Sequence, residues 1–89
     1  MDVIAVCSTN ATHAEITVKA LDKGIHVLCE KPMATSLAEC EAMLEAAKRN
    51  GKKLMIAQNQ RFASVHQEAR KRIAAGEIGE LLSFDSVYA

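Results

Sequence analysis

The residues best equipped for chemistry lie in three short polar clusters: Ser8-Thr9-Asn10-Ala11-Thr12-His13, Glu30-Lys31-Pro32 and Gln58-Asn59-Gln60-Arg61-Phe62. Between them they supply hydroxyls, amides, an imidazole and ammonium and guanidinium groups, the donors and acceptors of a ligand-binding rim. Each cluster has a plainer role when taken alone. Ser8, Thr9, Asn10 and Thr12 suit a helix N-terminus. An isolated Glu30-Lys31 pair is ordinarily solvated. His13 at a helix start is disfavoured as a cation, because the helix dipole is positive there, so it reads as neutral and hydrogen-bonded. Cys7 and Cys29 read as small buried hydrophobes and Cys40 as part of a core stripe. His26 falls within a strand and His66 on a helix flank, with no spacing that suggests a metal.

The clusters gain weight from the elements that carry them. Each directly follows a continuous apolar run: Asp2 to Cys7, Ile25 to Cys29 and Leu54 to Ala57. Unbroken aliphatic runs of that length fit strands buried on both faces of a parallel sheet. Helical patterns alternate with them. The first, about Thr12 to Lys23, repeats Ala14, Val18 and Leu21 and stops at Gly24. The second opens on a Ser36–Glu39 capping box, with Leu37, Cys40, Leu44 and Ala47 as its buried stripe and Met43 beside it. Glu45 and Arg49 pair on its outer face, and Asn50-Gly51 ends it. The third carries Phe62, Val65, Ala69 and Ile73 on one face and ends at Gly76. Beyond Glu77-Ile78-Gly79-Glu80, residues 81–89 read as a strand with one wet face. Strands joined through helices by short connections must be parallel neighbours, so all three polar clusters open onto one rim. A three-stranded parallel sheet has long unprotected edges and little core, which marks this chain as half of a doubly wound sheet.

Composition narrows the function. Of 89 residues, 11 are Lys or Arg and 11 are Asp or Glu, so the chain is neutral. That balance excludes a nucleic-acid binder held by phosphate contacts. A hydrophobic share of 49% against a charged share of 25% is globular composition rather than disorder. No apolar run approaches a membrane span, and Met1-Asp2 lacks the basic start of a signal peptide. Three cysteines without a Cys-x-x-Cys pair form neither a disulfide framework nor a zinc site, so reduced, cytoplasmic thiols are expected.

The combination resembles a known family. Val27-Leu28-Cys29-Glu30-Lys31-Pro32-Met33-Ala34 is similar to the E-K-P signature of the glucose–fructose oxidoreductase, inositol dehydrogenase and MocA (Gfo/Idh/MocA) family. Ser8 to His13 matches that family's [ST]-P-N-x-x-H loop, with Thr9 in place of proline. Asn59-Gln60-Arg61-Phe62 matches its N-x-R-F segment, with Ser64 where proline is common. Gly76-Glu77-Ile78-Gly79 matches its G-x-I-G joint.

The resemblance implies an α/β fold: the latter half of a Rossmann-type doubly wound parallel sheet, with the first strand of a following α/β domain. Residues 1–76 would be the C-terminal half of the cofactor-binding domain and 77–89 the start of the second, substrate domain. It implies an oxidoreductase transferring a hydride between NAD or NADP and a hydroxyl or carbonyl carbon of a sugar- or cyclitol-like substrate. In such an enzyme the transition state places negative charge on the substrate oxygen, and a nearby cation stabilises it. Lys31 suits that catalytic role, because Pro32 confines its backbone to extended conformations and aims the side chain. Ser8, Thr9, Asn10, His13, Glu30, Lys31 and Asn59 would contact the cofactor, while Arg61 is left without a role. The chain contains no G-x-G-x-x-G phosphate loop and no residue that selects NAD over NADP. Alone, the chain is expected to be inactive, and its full-length parent homo-oligomeric. A non-catalytic NAD(P)-sensing regulatory protein of the same fold is the alternative, and an intact Lys31 favours the enzyme. The Lys31–Pro32 bond, at the only proline, is expected to be cis.

Overall fold

The computed structural model describes residues 1–87, which divide into two compact units, Met1–Gln58 and a second beginning at Asn59. In the first unit, β1 (Val3–Val6), β2 (His26–Glu30) and β3 (Leu54–Ala57) pair in parallel in that order. The expected strands are therefore present, parallel and in sequence order, with all their carboxyl ends on one rim. Register puts Val6 opposite Cys29 and Cys29 opposite Ile56, which aligns one face of the sheet. Against that face pack α1 (His13–Asp22), entered through a 3-10 turn at Asn10–Thr12, and α2 (Leu37–Arg49). The core consists of Val6, Val27 and Cys29 from the sheet, Ala14, Ala20 and Leu21 from α1, and Met43 and Ala46 from α2. Thr17 is also fully buried there, its hydroxyl without a conventional hydrogen-bond partner and set against the Cys29 thiol.

Several expectations are corrected. The strands are not buried on both faces: Val3, Leu28 and Met55 lie on the face that α1 and α2 leave open, and all three are exposed. The buried stripe of α2 is not Leu37–Leu44. Met43 is 0% exposed and Ala46 is buried, whereas Leu37 is 75% and Leu44 58% exposed. The apolar arc of α2 is wide enough to admit either seam, and packing against α1 selects the side where alanine allows close approach. Arg49 turns from Glu45 to Asp22 at the end of α1, at 2.6 Å, and Asn50 Nδ2 donates to the same carboxylate at 2.7 Å. An acid at a helix C-terminus opposes the dipole, and these two donors offset it. Cys7 is exposed rather than buried.

The helix ends follow local rules. Ser36 Oγ accepts from Glu39 N–H at 3.2 Å, as a capping box requires. The Glu39 carboxylate reaches one residue further back than expected and accepts from the backbone N–H and hydroxyl of Thr35, at 2.9 and 2.7 Å. Gly24 closes α1 with φ +76°, a left-handed conformation that side chains resist.

The second unit holds a 3-10 turn (Asn59–Phe62) and α3 (Ser64–Ala74). His66 Nδ1 lies 2.7 Å from the Gln60 carbonyl, and Arg72 bonds Glu68 at 2.9 Å. Ser64 is the first helical residue, where a proline would be tolerated. Phe62 and Val65, on the expected apolar face of α3, are exposed. Residues 81–87 take no regular structure, in place of the expected strand, whose last two positions lie outside the described residues. A strand exists only as part of a paired ladder, and no such ladder forms there among the described residues.

Candidate functional site

The carboxyl rim of the first unit is built from two loops, 7–12 after β1 and 31–36 after β2. In the first, Thr9 adopts φ −69° and ψ 150°, which are proline-like angles. The loop keeps that shape through hydroxyls. Thr12 Oγ1 lies 2.8 Å from Ser8 Oγ, 2.9 Å from the Thr9 carbonyl and 3.3 Å from Thr9 Oγ1. With one proton to give, Thr12 serves one acceptor at a time and receives from a neighbouring hydroxyl. Thr12 is the hub of this network, a role that sequence reasoning missed. The S-T-x-x-T spacing, which stacks hydroxyls one helical turn apart, is the signal that could have revealed it. Ser8, Thr9 and Asn10 are all exposed on this loop.

The second loop is anchored residue by residue. Cys29 Sγ donates to the Glu30 carbonyl at 3.4 Å. Burial pushes the Cys29 thiol pKa up, partly offset by the Thr17 hydroxyl, so Cys29 stays a neutral donor. The Glu30 carboxylate accepts from the Lys31 backbone N–H at 3.1 Å. The Lys31–Pro32 peptide is cis, as expected. Glu30 thus spends its charge on backbone, and the Lys31 ammonium has no ion-pair partner among the described residues. Lys31 itself is exposed.

His13, expected among the cofactor contacts, lies beneath the rim. Only 1% of it is exposed, and its ring lies behind the rim, with Nδ1 2.7 Å from the Pro32 carbonyl and Nε2 3.2 Å from the Ser8 carbonyl. Both ring nitrogens lie within hydrogen-bonding distance of backbone carbonyls. The structure therefore brings Ser8, Thr9, Asn10, Glu30 and Lys31 onto one rim with His13 beneath them. Asn59 opens the second unit as the first, exposed residue of its 3-10 turn. Among the described residues, no group of three or more His, Cys, Asp or Glu side chains could hold a metal ion, and no helix is long and apolar enough to cross a membrane.

Residues 1–58 match the family model described as an oxidoreductase family with an NAD-binding Rossmann fold. The chain belongs to the Gfo/Idh/MocA oxidoreductase family. Among its relatives, the D-glucoside 3-dehydrogenase of Escherichia coli (strain K12) is 40% identical over 80 residues, covering 90% of this chain and 23% of that protein. The inositol 2-dehydrogenase of Salmonella typhimurium (strain LT2) is 34% identical over 83 residues, covering 92% of this chain and 25% of that protein. The crystal structure of an inositol dehydrogenase homologue from Azotobacter vinelandii, in complex with NADH and myo-inositol, superposes with a TM-score of 0.84 at 36% identity. That match covers 90% of this chain and 21% of that one. The chain spans about a quarter of the length of the relatives it matches.

Proposed function

We propose that this chain supplies one wall of the active site of an NAD(P)-dependent oxidoreductase. The reaction would move a hydride between the nicotinamide and a hydroxyl-bearing or carbonyl carbon of a sugar- or cyclitol-like substrate. The observation that carries this reading is Lys31, an ammonium group without an ion-pair partner among the described residues, at the carboxyl end of the central strand and on a backbone anchored to either side. The relatives named as glucoside and inositol dehydrogenases support the substrate class.

The rim suits part of a dinucleotide. The exposed hydroxyls of Ser8 and Thr9 and the Asn10 amide offer the donors and acceptors that a ribose and a carboxamide require. Glu30 lies beside them, and Asn59 keeps the cofactor assignment implied by its motif. The pyrophosphate cradle is a different matter. All four glycines have positive φ at helix ends or turns, and none belongs to a G-x-G-x-x-G loop. Bound nicotinamide would supply the hydride donor or acceptor. Lys31 would donate a hydrogen bond to the substrate oxygen, and that bond strengthens as negative charge develops there. We assign residues 1–76 to the cofactor domain and 77–89 to the entry of the second domain. The parent is read as a cytoplasmic homo-oligomer that binds no nucleic acid. Three free cysteines and a net charge of zero support the location and the lack of phosphate contacts.

Lys31→Met in the full-length protein carrying this segment tests the reading, because Met keeps the apolar stem and removes the ammonium. Turnover should fall by roughly 10²–10³, the usual loss for one oxyanion donor. Unchanged turnover would leave the nucleotide-sensing regulator ahead. Calorimetric titration of residues 1–89 alone should give no binding of NAD or NADP in the micromolar range, since the glycine-rich cradle is absent.

A further inference from the structure

We propose that His13 is a positioning residue that holds the Lys31 turn in place through the Pro32 carbonyl. The proposal rests on the reading of Lys31 as the group that stabilises charge on the substrate oxygen. His13 is the first residue of α1, a rigid element packed on the sheet, and its ring reaches both rim loops. The shorter of the two ring contacts, 2.7 Å from Nδ1 to the Pro32 carbonyl, is the one we assign to an N–H donor. Nε2 lies 3.2 Å from the Ser8 carbonyl, the longer of the two ring contacts. Around Lys31 the chain is held before, at and after the residue: the Glu30 carbonyl by Cys29, the Lys31 N–H by Glu30, and the Pro32 carbonyl by His13. Two of these anchors are local, within one residue along the chain. His13 ties the residue directly after Lys31 to another element, so it helps set where the turn sits relative to the Ser8–Thr12 loop. Burial of the ring keeps water from competing for the Pro32 bond, which makes that bond stronger than an exposed equivalent. A shift of about 1 Å in a reacting group can cost on the order of 10²-fold in rate.

Two variants separate positioning from packing. The Asn side-chain nitrogen stands at the same bond separation from Cβ as His Nδ1, and the Gln nitrogen at that of Nε2. In the full-length protein, His13→Asn should keep turnover within about threefold, and His13→Gln should lose about tenfold or more. The Lys31 and Met33 amide resonances should move in the Gln variant and stay in the Asn variant. A space-filling role predicts equal loss in both, and that result would overturn the proposal. Should either variant fail to fold, long-range nitrogen–proton correlation on the wild-type protein decides it. A proton on Nδ1 supports the clamp, and a proton on Nε2 alone refutes it. Lys31→Met with full turnover would overturn the catalytic reading instead, and with it the positioning role, even where the Nδ1 tautomer is found.

Discussion

At the carboxyl end of the sheet, the Lys31 ammonium group has no ion-pair partner among the described residues, while hydrogen bonds hold its backbone. At the amino end, where α1 and α2 finish and β2 and β3 begin, the arrangement is reversed. There Arg49 and Asn50 spend their side chains on Asp22, and His26 Nδ1 accepts from the Lys53 backbone N–H at 2.9 Å. One end leaves a charge available and fixes its mount. The other end consumes its charges to close the helices. Charged residues of similar type and exposure thus do different work, and only their partners tell them apart.

The sharpest way to break this contrast is to remove one cation from each end. Lys31→Met should cost roughly 10²–10³ in turnover with a stability change within about 0.5 kcal/mol. Arg49→Met should lower the melting temperature and leave turnover unchanged. Steady-state kinetics and thermal melts on both variants would expose any mixing of the two roles.

A smaller effect is expected at Gly24, also at the amino end. A Cβ there would meet only Lys52 Cε at 3.7 Å, an ordinary contact, so space is not the obstacle. The cost of Gly24→Ala comes from φ +76° and should be about 1–2 kcal/mol in denaturant unfolding, again without loss of turnover.

The smallest effect lies on the acid side. Hydrogen bonds from Arg49 and then Asn50 hold the Asp22 carboxyl below its ordinary value of 3.8. A carboxylate depressed in the folded state contributes stability above its unfolded value, and that contribution disappears as pH falls through the folded value. Arg49→Met should therefore raise the pH midpoint of acid unfolding, followed by circular dichroism. Lys31→Met should leave that midpoint in place, because its ammonium pairs with no carboxylate among the described residues.

Much of this was legible in residue order. Three aliphatic runs separated by helical patterns leave few arrangements other than a parallel sheet with one polar rim, because short crossovers permit little else. Ser36 with Glu39, and Gly24 after Leu21, set helix ends through contacts a few residues apart, and such contacts are written locally. The E-K-P turn and the Ser8–His13 loop were recognisable for the same reason. Long-range choices were not. Whether α2 buries Leu44 or Met43 depends on the surface α1 presents, and whether Arg49 faces Glu45 or Asp22 depends on where α1 ends in space. His13 gave the same difficulty: its residue type suits a ligand contact, and only the meeting of two loops 19 positions apart turned its ring inward to the Pro32 carbonyl. The sequence by itself determined the elements, their order and the polar rim, since those follow from periodicity and local hydrogen bonding. The tertiary structure decided which polar groups remain available on that rim, because a donor is available only when no other part of the chain has already claimed it.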